Sequence, residues 1–199
     1  MKFQDNISEI AALQPDYLGF IFYEKSPRYF ENNIPNLDKS IKKVGVFVNA
    51  TYTEIEEKVN QYNLNLVQLH GDESPEFCAL IETKTVKVIK AFSINNEFNF
   101  NNLEKYFNNC SYYLFDTKGN NYGGNGIAFD WAILGHYHLD KPYFLSGGIG
   151  LENPSDLKTF LKTDSADNCH AIDLNSKFEI EPGLKRPETL EEFITILNQ

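Results

Sequence analysis

The sequence predicts an α/β fold on a parallel sheet, and three observations predict it. Short apolar runs, β-branched and aromatic, alternate with helix-like stretches along the whole chain. Most of these runs lack strict polar/apolar alternation, as strands covered on both faces do. Glycine clusters follow the late runs, "GNNYGGNG" and "SGGIG", whereas the first run leads into "YEKSPRYF" with no glycine.

The elements follow in order. The opening "MKFQDNISEI" is already helix-like. "DYLGFIF" (Asp16 to Phe22), "KVGVFVN" (Lys43 to Asn49) and "LNLVQLH" (Leu64 to His70) are the first three strands. "VKVIKAFSI" (Val86 to Ile94), "SYYLFD" (Ser111 to Asp116), "PYFLSGGI" (Pro142 to Ile149) and "CHAIDLN" (Cys169 to Asn175) are the other four. "TYTEIEEKVNQY" reads as a helix capped by Thr51 or Thr53, with acids in its first turn. "SPEFCALIET" takes Ser74 as its cap and Pro75 at its first position, and "NPSDLKTFLK" repeats that scheme. The closing "RPETLEEFITILNQ" sets Leu190, Phe193, Ile194 and Leu197 on one face. Charge clusters such as Glu54, Glu56 and Glu57 read as solvated helix faces.

The totals narrow the function. A chain of 199 residues with no linker and no break in composition suits a single domain over 1–199. A net charge of -10 argues against nucleic-acid and membrane-surface partners, which need basic faces, but permits an anionic small molecule. No run reaches membrane-spanning length, and acids stand where a signal peptide would be basic, so a cytoplasmic protein is expected. Cys78, Cys110 and Cys169 are too irregularly spaced for a disulfide framework or a zinc site. They read as reduced and partly buried.

Candidate residues gather at strand ends. Dinucleotide and P-loop fingerprints are absent: Gly124-Asn-Gly126 and Gly148-Ile-Gly150 lack a third glycine. Late glycine-rich strand ends instead suit the phosphate quarter of a closed barrel. Asp116 ends an apolar strand, where it is either an acid on the catalytic face or the start of a turn. Gly123, Gly124 and Gly126 either close backbone amides on an anion or form a flexible turn. Gly147 and Gly148, directly after Ser146, place side-chain-free residues at a strand terminus before a helix. "DLNSK" adds Asp173, Asn175 and the Ser176 hydroxyl. Arg28 offers a planar fork for a carboxylate, or is an ordinary surface arginine. His70 either touches substrate or is a satisfied, partly buried histidine; His136 and His138 read as surface.

The blocks "GFIFYEKSPRY", "VGVFVN", "VQLHGDES", "LFDTK", "GGNGIAFDW", "LSGGIGLENP" and "DLNSKFEIEPGLKRP" occur in the order and spacing of one family. On them the chain resembles phosphoribosylanthranilate isomerase. The resemblance implies a (β/α)8 TIM barrel and the Amadori rearrangement of N-(5'-phosphoribosyl)anthranilate in tryptophan biosynthesis. It implies no metal and no organic cofactor, a phosphorylated small-molecule substrate, and a monomer or homodimer. It makes Asp116 the general acid that protonates the ribose ring oxygen, and Arg28 the holder of the anthranilate carboxylate. Gly124, Gly147, Gly148, Asn175 and Ser176 fall on its phosphate loops, with Asp173 turned to the substrate. An acid of this kind has to keep its proton near neutral pH, which an apolar setting beside Tyr113 and Phe115 favours.

Two departures stand out. The family's cysteine base, in a Lys-Ile/Val-Cys-Gly strand, has no counterpart, and seven strands are counted where eight close the barrel. The expectation is a chain that starts just after that motif, with the first strand missing and little isomerase activity of its own. Lys177 stands where the family commonly has glycine, crowding the phosphate loop or adding charge. The alternatives are a barrel that only binds phosphorylated ligands, or another phosphate-sugar isomerase or epimerase.

Overall fold

The computed structural model describes residues 1–83, 86–117 and 130–199. Seven strands form one sheet in sequence order: β1 (Tyr17–Ile21), β2 (Lys42–Phe47), β3 (Leu66–Leu69), β4 (Lys87–Ile94), β5 (Tyr112–Thr117), β6 (Tyr143–Leu145) and β7 (Cys169–Ile172). Every neighbouring pair is parallel. All seven coincide with the runs read from the sequence. The sheet curls until its outer strands approach: Tyr17 Oη on β1 lies 2.7 Å from His170 Nε2 on β7. No ladder joins β1 to β7 among the described residues.

Side chains sort by strand parity. Val44, Leu66, Ile89, Ala91, Leu114 and Phe144 pack together inside the curl. Their chain neighbours, among them Val67, Val88, Tyr113, Phe115, Tyr143 and Leu145, face outward into a larger cluster. The helices α1 (Gln4–Ala11), α2 (Tyr52–Tyr62), α3 (Pro75–Ile81), α4 (Pro154–Phe160) and α5 (Pro187–Asn198) bury their apolar residues there. Both faces of the sheet are covered, which is why its strands read as unbroken apolar runs.

The helix starts follow their caps. Thr51 accepts from the Glu54 amide while Glu54 reaches back to Thr51, a full capping box. Ser74 caps α3, and Pro75 occupies its first position.

Strand–helix alternation is looser than the sequence suggests. Residues 22–41, between β1 and β2, hold no helix. Pro27, Pro35 and a polar stretch leave no apolar period there, although Phe30 anchors the segment at 0% exposure. The β4–β5 and β5–β6 connections carry 3₁₀ turns, Phe100–Tyr106 and Trp131–His136. Asn99 and Asp130 direct their side chains onto backbone amides two residues on, favouring turns over α-helix. A short antiparallel hairpin, β8 (Glu179–Glu181) with β9 (Leu184–Lys185), precedes α5. Asn6 ties α1 to it through paired bonds with the Lys185 backbone, 2.8 and 2.9 Å.

One ion pair lies in the apolar layer. Lys90 Nζ on β4 donates to Glu73 Oε2 at 3.1 Å and to the carbonyls of Leu69, Gly71 and Ala91. Glu73 in turn accepts from the Asn49 and Gly71 amides. The pair thereby pins the loops that leave β2 and β3. Removing one partner of a buried pair strands the other, so Lys90→Ala is expected to lower the unfolding free energy by about 3–5 kcal/mol. Lys87→Ala, which breaks only the half-exposed pair with Glu82, is expected to cost less than about 1 kcal/mol. Urea denaturation of the two variants checks the contrast.

Candidate active site

A cavity of about 500 Å³ runs through the inside of the curled sheet and reaches the carboxyl ends of its strands. Its lining brings together Arg28, His70, Asp116, Gly147, Gly148, Asp173, Asn175 and Ser176. These residues come from five separate stretches of the sequence, and the parallel sheet brings them to one end. Gly124 lies outside the described residues, with Gly123 and Gly126.

Asp116 arrives by parity. It pairs with Ser93 across the β4–β5 ladder and shares the inward face with Leu114. Its residue exposure is 5%. His70 Nε2, just past β3, stands 3.6 Å from Asp116 Oδ2. The other ring nitrogen, Nδ1, lies 3.1 Å from Gln68 Oε1. Gln68 is the one polar side chain of the four-residue strand β3, and it serves this ring.

The next two strand ends continue the row. The Ser146 amide donates to the Phe115 carbonyl, and the Asp173 amide donates to the Leu145 carbonyl, each at 2.8 Å. Asp116, Ser146 and Asp173 therefore stand side by side. Ser146 Oγ donates to Asp173 Oδ2 at 3.1 Å. Poor solvation pushes the Asp173 carboxyl above its ordinary value, and the Asp116 charge adds to this, while Lys185 and Ser146 oppose it.

Beyond Ser146 the chain turns through left-handed backbone, with φ of 92° at Gly147 and 66° at Gly148. A side chain disfavours that conformation, so glycine is the natural occupant. Asn153 braces the turn: its Oδ1 accepts from the Gly150 amide, and its Nδ2 donates to the Gly148 carbonyl, each at 3.0 Å. The partner turn, Asn175 into the 3₁₀ segment Ser176–Phe178, follows β7. Lys177 does not enter the cavity with a free charge: its ammonium pairs with Glu152 at 2.6 Å, bridging the two turns at the surface.

Arg28 is engaged. Its Nε and Nη2 clasp the Glu179 carboxylate at 2.7–3.1 Å. Lys185 Nζ donates to the same carboxylate at 3.1 Å and to Asn175 Oδ1 at 2.7 Å. Burial alone would raise Glu179, but Arg28 and Lys185 outweigh it and hold the carboxyl below its usual range.

Glu179 and Lys185 were not singled out from the sequence. The Pro182-Gly183 turn and the short polar strand "EIE" before it are hairpin signals that could have found them. None of the three cysteines lines the cavity. Burial pushes their thiols up, Cys78 and Cys169 to about 12 and Cys110 to about 11, so they are inert as bases. No helix among the described residues is long and apolar enough to cross a membrane.

Known proteins resemble this chain in sequence and fold. A family model described as N-(5'phosphoribosyl)anthranilate (PRA) isomerase matches residues 2–196. The N-(5'-phosphoribosyl)anthranilate isomerase of Parabacteroides distasonis is 44% identical over 200 residues, covering 98% of this chain and 89% of that protein. The crystal structure of phosphoribosyl anthranilate isomerase from Thermus thermophilus superposes with a TM-score of 0.83 at 25% identity, covering 100% of this chain and 95% of that one. A phosphoribosyl anthranilate isomerase solved with reduced 1-(o-carboxyphenylamino)-1-deoxyribulose 5-phosphate gives 0.75 at 27% identity, with the same coverage. A match across nearly the whole chain, joined to a parallel barrel sheet with its polar groups at one end, places this chain in the N-(5'-phosphoribosyl)anthranilate isomerase family, the aldose–ketose isomerases of tryptophan biosynthesis.

Proposed function

We propose that the cavity binds N-(5'-phosphoribosyl)anthranilate and that Asp116 is the general acid of its Amadori rearrangement. The carrying observation is that Asp116 shares one cavity with the Gly147–Gly148 turn and with Arg28. The sugar phosphate takes the amides of Gly147 and Gly148 and the turn at Asn175 and Ser176, a cradle of backbone donors suited to an anion. Arg28 takes the carboxylate of the aromatic ring. Asp173 faces the sugar beside Ser146. Asp116 gives its proton to the ring oxygen as the C1'–O bond breaks, and the anilino nitrogen lone pair forms the Schiff base. His70 stands next to the acid, on the side of the β3 loop.

The next step moves the C2' proton to a base. A base needs hydrogen-bond reach to the proton it takes, and Cys78, Cys110 and Cys169 all lie off the cavity. That placement favours a second reading, in which these 199 residues bind the phosphorylated ligand without completing the turnover. Measuring analogue binding and isomerisation on the same preparation separates the two readings.

Asp116→Asn is expected to lower isomerisation by about 10²–10⁴-fold. The same variant is expected to hold the Kd of the reduced product analogue within about threefold. An unchanged rate would remove Asp116 from the acid role. Arg28→Ala is expected to raise that Kd by about 10–100-fold, the loss of a charge-assisted pair; fluorescence titration reads it. Asp173 carries a pH signature. A carboxyl raised by folding adds stability below its ordinary value of 3.8 and loses it as the pH climbs through the folded value. Asp173→Asn is therefore expected to compare more favourably with the parent at pH 7 than at pH 3, read as the difference in urea midpoints.

A further inference from the structure

The Arg28 guanidinium has two usable edges. The Nε/Nη2 edge is committed to Glu179. Nη1 makes no hydrogen bond to any described residue, and Arg28 lines the cavity. The end-on edge, Nη1 with the second hydrogen of Nη2, is the one left to face a ligand. Its direction is set by the carboxylate behind it. Glu179 is itself held, accepting from Lys185 Nζ at 3.1 Å and from the Gly183 amide at 3.2 Å. Its side chain is 5% exposed, and that of Lys185 is 7%. Arg28 and Lys185 share the Glu179 carboxylate, and Asp173 is a further charge partner of Lys185. Lys185 also grips Asn175, so one ammonium braces both the carboxylate end and the phosphate turn.

We propose that Glu179 and Lys185 are positioning residues that aim the free edge of Arg28 at the ring carboxylate of the substrate. Selectivity for that carboxylate then belongs to the Arg28–Glu179–Lys185 cluster, and not to Arg28 alone. The inference rests on the reading of the cavity given above.

Two ligands test it: the reduced product analogue, and the same molecule with a plain phenyl ring lacking the carboxylate. The parent chain is expected to bind the carboxylated form at least about tenfold more tightly, as a charge-assisted fork does. In Glu179→Gln that ratio is expected to fall to about threefold or less, while the Kd for the phenyl ligand stays within about threefold of the parent. A role confined to folding would weaken both ligands together. Glu179→Asp keeps the charge and retracts the anchor by one methylene, so it guards against a Gln variant that does not fold, and its ratio is expected to lie between the other two. A folded variant of either kind with the parent ratio overturns the proposal. Loss of fold in both assigns the cluster a structural role and overturns it as well. A parent chain that binds neither ligand contradicts the functional reading itself, and the inference falls with it; intact binding with unchanged ratios contradicts the inference alone.

Discussion

The site depends on side-chain parity along β5. Tyr113 and Phe115 face the helices, so Leu114 and Asp116 face the inside of the curled sheet. A slip of one residue would send the carboxylate into the outer apolar layer and bring a phenyl ring into the cavity. The outer aromatics prevent this. Phe115 packs on Tyr143 and Tyr137 with ring centroids 4.9 and 5.3 Å apart, and Tyr113 Oη donates to the Leu103 carbonyl at 2.8 Å. These contacts are available in one register only. The packing that stabilises the fold thus also aims the acid.

Charge is laid out around the cavity in the same economical way. The protein is acidic overall, with a net charge of -10, yet the cavity gathers the Gly147–Gly148 backbone, Arg28 and Lys185. Two buried charge clusters frame it. Lys90–Glu73 holds the loops after β2 and β3 from outside the sheet. Arg28–Glu179–Lys185 fixes the opening between β1 and the hairpin after β7. Such pairs gain little net stability over apolar replacements, but breaking one is costly, which suits elements that must hold a fixed geometry.

The strands and the helix caps were legible because local chemistry decides them. Unbroken apolar runs mark strands covered on both faces, and Thr51 and Ser74 announce the helices they cap. Asp116, Gly147, Gly148 and Asp173 could be named because strand ends in a parallel sheet converge. The family blocks then gave each residue an expected role. What stayed hidden depends on contacts across the chain. Arg28 reads as a fork for a ligand carboxylate or as a surface arginine, whereas its Nε/Nη2 edge serves a glutamate 151 positions away. Lys90 sits in an apolar strand with no sequence signal that Glu73 awaits it. Residues 22–41 look like one more link in the alternation, but lack the apolar period that a helix needs.

The central claim is that one ligand spans the cavity from the glycine turn to Arg28 and passes Asp116 on the way. The most direct measurement is a crystal structure of the chain with reduced 1-(o-carboxyphenylamino)-1-deoxyribulose 5-phosphate. The account predicts the phosphate on the Gly147 and Gly148 amides, the ring carboxylate on Arg28, and the sugar hydroxyl derived from the ring oxygen within hydrogen-bond reach of Asp116. A phosphate seated elsewhere, or a sugar turned away from Asp116, would contradict it.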